Sequence, residues 1–155
     1  MKTTKNFLIF SIIGFALSAQ AELKFKDNNT DYQISTKTTP VVGTIEGNYS
    51  TYMETDWNAH IEIKPKGQLM VEIVAQDENM DKPVKNLKKG TWAIEKDLLT
   101  LKYGMEWIKY EFYPRTKTFI EKEPLDVLKP VSSSKDHLLK AQYLHRVPIK
   151  SSSKK

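Results

Sequence analysis

His60 and Glu62 stand two residues apart in "HIE", a spacing that places an imidazole and a carboxylate on one face of an extended strand. Such a pair can begin a zinc or copper site, which requires at least a third ligand, and His137 or His145 would supply it only if the fold carried one of them to His60. The same pair could serve acid–base catalysis; a solvated strand face is the simpler reading. The run "DENMD" offers Asp77, Glu78, Asn79 and Asp81, oxygen ligands of the kind calcium takes, but it lacks the glycine and the terminal glutamate of an EF-hand loop. Glu121 and Glu123 are paired carboxylates in "IEKEP" with nothing to bury either. Met53, Met70, Met80 and Met105 have no clustered spacing of the sort that soft-metal binding asks for. The chain has no cysteine, no Gly-x-Ser-x-Gly elbow, no His-Glu-x-x-His helix and no phosphate or dinucleotide loop. The residues therefore predict a protein with no catalytic residue, no metal site and no cofactor.

The elements that would position these groups are strands. Between Gly47 and Lys122 the apolar period is two. In "WNAHIEIK" Trp57, Ala59, Ile61 and Ile63 share one face, and after the turn Pro65-Lys66-Gly67 the set continues through Leu69, Val71, Ile73 and Ala75. Further strands are expected at "GTWAIE", "LLTLKY", "MEWIKYEFY" and "KTFIEKE", with turns at Lys96-Asp97, Gly104 and Pro114 to Lys117. In the third of these Ile108, Tyr110 and Phe112 point inward, leaving Trp107, Lys109 and Glu111 outward. "LKFK" and "DYQIS" read as short edge strands around Asn28-Asn29, and Asp77 to Lys89 as a long exposed connection. Near the C-terminus Ser134 would cap a short helix or helical turn bearing Leu138, Leu139, Gln142 and Tyr143, before a closing strand "AQYLHRV".

The ends set the compartment. Lys2 and Lys5 precede an apolar run from Phe7 to Leu17 and the site Ala19-Gln20-Ala21, the layout of a bacterial secretory signal. That run is about half the ~20 residues a spanning helix needs. Residues 1–21 are thus expected to be removed, leaving one all-β domain over 22–147 and a disordered basic tail over 148–155, in a periplasmic or secreted protein without stable membrane insertion. The net charge is +5, part of it in the leader and part in "IKSSSKK", so no basic face suggests nucleic acid.

Gly47-Asn48-Tyr49 opens the meander and Leu144-His145-Arg146-Val147 closes it. This resembles the lipocalin-like (calycin) barrels, in which a Gly-x-aromatic motif near the first strand meets an arginine from the last. The resemblance implies an antiparallel barrel and non-catalytic binding of a small apolar ligand, with Tyr49 as the packed aromatic and Arg146 as its stacking partner. Tyrosine stands where that family usually has tryptophan, and Gly90-Thr91-Trp92 carries the same pattern elsewhere.

Together these readings predict an all-β, small antiparallel meander barrel or curled sheet that acts by binding. Its interior is expected to be largely filled, with a narrow cleft at an open end near Tyr49 and Arg146; Tyr49, Trp57 and Arg146 are the ligand-binding candidates. The alternative is an inhibitor or immunity protein that blocks a periplasmic hydrolase through Trp107, Asp77 and Glu78. The partner is then an apolar small molecule or a periplasmic protein.

Overall fold

The computed structural model describes residues 24–27, 30–33, 36–51, 57–75, 81–118 and 123–148. The leader, Asp77, Glu78 and most of the tail lie outside the described residues. Ten strands follow in chain order: β1 (Lys24–Asp27), β2 (Thr30–Gln33), β3 (Gly47–Ser50), β4 (Trp57–Lys64), β5 (Gln68–Ala75), β6 (Val84–Glu95), β7 (Leu98–Tyr103), β8 (Glu106–Thr118), β9 (Leu125–Ser133) and β10 (Leu144–Arg146). From β3 to β10 each strand pairs antiparallel with the next, and β10 pairs back onto β3. Eight strands thus close into an up-and-down barrel, which removes the free edges that a curled sheet would keep. β1 and β2 form a hairpin on the far part of β8 through Tyr32↔Thr118 and Gln33↔Lys117.

Sequence alternation sets the register. β4 and β5 pair as Ile61↔Val71 and Ile63↔Leu69, so four branched side chains meet on the inner face with almost no exposure. Each contributes roughly 1.5–3 kcal/mol of burial. β7 adds Leu99, Leu101 and Tyr103 to this core, and β8 adds Ile108, Tyr110 and Phe112, the inward set that alternation predicts. An eight-stranded barrel is just wide enough to be filled by side chains, and large residues fill this one. The lower end carries the turn Pro65–Gly67 and the tight turn Lys96-Asp97, whose positive φ angles of 47° and 65° match the twist of a two-residue hairpin. The upper end carries Gly104-Met105 and residues 134–143.

The structure corrects four expectations. β6 begins at Val84, so residues 84–89 are paired strand; neither of their faces is buried, which erases the period-two signal. β8 runs through Pro114 and Arg115, which form a register shift between Tyr113 and Thr116 in place of a turn. β9 went unread because Val127 and Leu128 are both buried, one on each face, and because Pro130 beside the shift near Tyr110 breaks the alternation. Residues 138–141 form turns without a helix: Leu139 is fully buried, whereas Leu138 is exposed.

Candidate functional site

The lower end is built around Arg146. Its register on β10 places it opposite Tyr49 of β3. Nη1 donates to the Glu46 carbonyl at 2.8 Å, and Nη2 donates to the Tyr49 hydroxyl at 2.8 Å and to the Thr44 carbonyl. Nε lies 2.9 Å from the Asp126 carboxylate. The guanidinium also sits over the Tyr49 ring, 5.1 Å from its centroid. The Tyr49 hydroxyl in turn donates to the Ile45 carbonyl at 2.9 Å. Burial pushes this phenol well above its ordinary range of about 10, against the opposing pull of Arg146. Gly47 makes the approach feasible: its φ is +151°, and a Cβ there would lie 2.7 Å from Arg146 Nη1. Ile45, fully buried, caps the core beneath.

Tyr49 and Arg146 therefore stack as the resemblance implies, and the 41–46 turn lies beside them. The 41–46 turn and the guanidinium bonds tie this end together, and the groove that reaches Tyr49 and Val147 crosses the outside of β3 to β6. Gly90-Thr91-Trp92 serves another purpose. Gly90 packs so closely on β7 that a Cβ would clash with the Lys102 carbonyl oxygen, and the Trp92 indole donates to the Lys64 carbonyl at 2.7 Å. Trp57 is half-buried at the other end of β4, four residues from the Ile61 that faces Tyr49. The three ligand-binding candidates thus divide between opposite ends.

The upper end is held differently. Residues 134–143 cross the mouth between β9 and β10. Leu139 inserts into the core and His137 is buried beside it. His137 Nδ1 accepts the Leu139 backbone N–H at 3.1 Å, so the neutral ring carries its proton on Nε2 and points it at the Tyr103 hydroxyl, 2.8 Å away. Outside them Lys88 pairs with Glu106 and lies 5.3 Å from the Tyr103 ring centroid. Burial raises the Tyr103 phenol, with the Glu106 charge adding to the effect, and burial lowers the His137 imidazole. Ser134 fastens the start of this segment to Trp107 through its backbone N–H and its hydroxyl.

Within the core, Tyr110 is fully buried and its hydroxyl has no hydrogen-bonding partner among the described residues. Burial pushes its pKa well above the ordinary value, and Tyr103 is close enough to add to that rise. An unpaired buried hydroxyl costs about 1–3 kcal/mol. Sequence reasoning placed Tyr110 inward without marking it as a site. The signal was a single hydroxyl among the inward Leu99, Leu101, Ile108 and Phe112.

On the outside, a groove of about 410 Å³ crosses β3 to β6, lined among others by Asn48, His60, Glu62, Met70, Glu72 and Leu87. His60 and Glu62 share this outer face as predicted. Lys64 pairs with Glu62 and Lys85 with Glu72. Among the described residues no group of three or more His, Cys, Asp or Glu side chains is arranged to hold a metal ion. Trp107 is half-buried on the outer face, and Met105, two residues before it, is almost wholly exposed. Compared with known proteins, the chain matches no family model, no curated protein and no solved structure.

Proposed function

We propose that this protein is a non-catalytic, exported binding protein of lipocalin-like type. It takes a slim apolar molecule that carries a hydrogen-bond-accepting oxygen into the upper part of the barrel. The observation that carries this reading is Tyr110, whose buried hydroxyl has no hydrogen-bonding partner among the described residues and would donate to such an oxygen. The lower end is tied by Arg146, so entry is from above, past Trp57 and Leu139.

The test pairs two measurements on Tyr110→Phe. Removing the orphan hydroxyl is expected to stabilise the free protein by about 1 kcal/mol, since a buried donor without a partner is destabilising. The same change is expected to weaken binding of cis-parinaric acid, a slim fluorescent fatty acid, by roughly five- to tenfold, as loss of one hydrogen bond of ~1 kcal/mol implies. Unchanged affinity for this probe, or no binding in the parent protein, refutes the reading.

A second reading is favoured by one observation: Met105 is 98 % exposed beside the half-buried Trp107, a solvent-facing apolar pair of the kind found at contact surfaces. In that reading the protein is an inhibitor or immunity protein whose partner, a periplasmic hydrolase, sits on this rim. It requires a one-to-one complex that survives gel filtration and dissociates on Trp107→Ala.

A further inference from the structure

Resting on the ligand reading above, we infer that residues 134–143 form a lid over the barrel mouth, latched by neutral His137 and released when that imidazole takes up a proton. Ser134 anchors one end to Trp107, β10 continues from the other, and between them the contacts include the burial of Leu139, the bond from His137 to Tyr103 and the approach of Tyr143 to Tyr113. The segment also makes its own turns, Ser134 to His137, His137 to Lys140 and Leu139 to Gln142.

The latch works in one protonation state. Nδ1 accepts the Leu139 amide, and a backbone N–H is always a donor. A proton on Nδ1 would set donor against donor and leave a cation in a site shielded from water. The bond that places Leu139 next to His137 would then be lost, and the leucine would no longer be held in the core. Three groups face the ring from the barrel: Tyr103 of β7, Glu106 of β8 and Lys88 of β6. Glu106 favours the cation, Lys88 opposes it, and their mutual ion pair leaves burial as the dominant influence. Withdrawal of Leu139 opens space at the upper end of the core that also contains Tyr103 and Tyr110, so acid would switch the site from closed to receptive.

Amide hydrogen exchange of the intact mature protein at pH 7.5 and pH 5 tests the lid without any ligand. The protection factor at Leu139, corrected for intrinsic exchange, should fall at least tenfold at pH 5, while protection at Leu101 in β7 stays unchanged. His137→Asn supplies the control: its side-chain oxygen can take the place of Nδ1 in a local turn and accept the same amide, but it does not titrate. In that variant Leu139 protection should be independent of pH. Equal protection at both pH values in the parent, or a fall that persists in His137→Asn, overturns the lid. Binding of cis-parinaric acid at the two pH values separates the two claims. Stronger binding at pH 5 in the parent alone supports both, whereas a pH-dependent lid with no binding at either pH keeps the latch and removes the ligand reading.

Discussion

At the scale of single residues, Arg146 holds more of the molecule than any other side chain described. It joins β10 to the 44–46 backbone, to Tyr49 and to Asp126, segments separated by up to about a hundred residues of chain. Arg146→Ala strips hydrogen bonds from two carbonyls and a buried phenol, and leaves Asp126 without its ion pair. Losses of this kind cost about 3–4 kcal/mol. Urea titration should register that loss as a lower midpoint with an unchanged slope. Arg146→Lys should recover less than half of it, since one ammonium cannot reproduce the planar fork. Gly47→Ala tests the same junction from the other strand. Its methyl would meet Nη1 at 2.7 Å on a backbone with φ of +151°, so a destabilisation of about 2 kcal/mol is expected. Retention of full stability in both Arg146→Lys and Gly47→Ala would show that the junction does not depend on this geometry.

At the scale of strands, the hairpin β4–β5 is where sequence and structure agree most closely. Ile61 is almost entirely buried, and its neighbour His60 is exposed. Ile61→Asp would place an unpaired carboxylate in the core, a cost of several kcal/mol that exceeds the margin of most domains of this size. It should abolish the cooperative thermal transition; His60→Ala should shift its midpoint by no more than a few degrees, as exposed positions do. A stable, cooperative Ile61→Asp protein would mean that the assigned face is wrong. This hairpin was legible because one of its faces is wet and the other dry, so a period of two survives in the sequence. β6 and β9 were not, for opposite reasons: the start of β6 has no dry face, and β9 has buried residues on both. The stacking of Tyr49 on Arg146 followed only from the family resemblance that the two motifs carry. That it ties this end of the barrel together depends on the 41–46 turn folding beside it, and no local pattern encodes that contact. The lid was hidden too, because Ser134 reads as the cap of a short helix until it is seen bound to Trp107.

At the scale of the whole molecule, the balance of charge predicts how stability responds to pH. His145 lies on β10 between β3 and β9 and is almost wholly buried, and its imidazole is pulled from the ordinary 6.5 down to about 4 by burial, with a backbone hydrogen bond at Ser50 working the other way. The unfolded chain therefore binds a proton near pH 6.5 that the folded chain refuses until about pH 4. The stabilising effect of keeping this ring neutral is fully present above pH 6.5 and is lost as pH falls from 6.5 toward 4. The slope approaches ~1.4 kcal/mol per pH unit, and the whole effect is about 3 kcal/mol. His137, lowered in the same direction, adds to the slope through its lid. Glu95, held below the ordinary carboxylate value by bonds first from Lys109 and then from Lys102, titrates below the upper part of that window. Between pH 6.5 and 5 the slope therefore belongs to the histidines. Urea midpoints measured across that range should fall steadily in the parent protein. They should fall about half as steeply in His145→Gln, which keeps a hydrogen-bonding side chain on β10 without a group that titrates there. A parent protein equally stable at pH 6.5 and pH 5 would mean that His145 is charged or solvated in the folded state, and that β9, β10 and β3 do not enclose it.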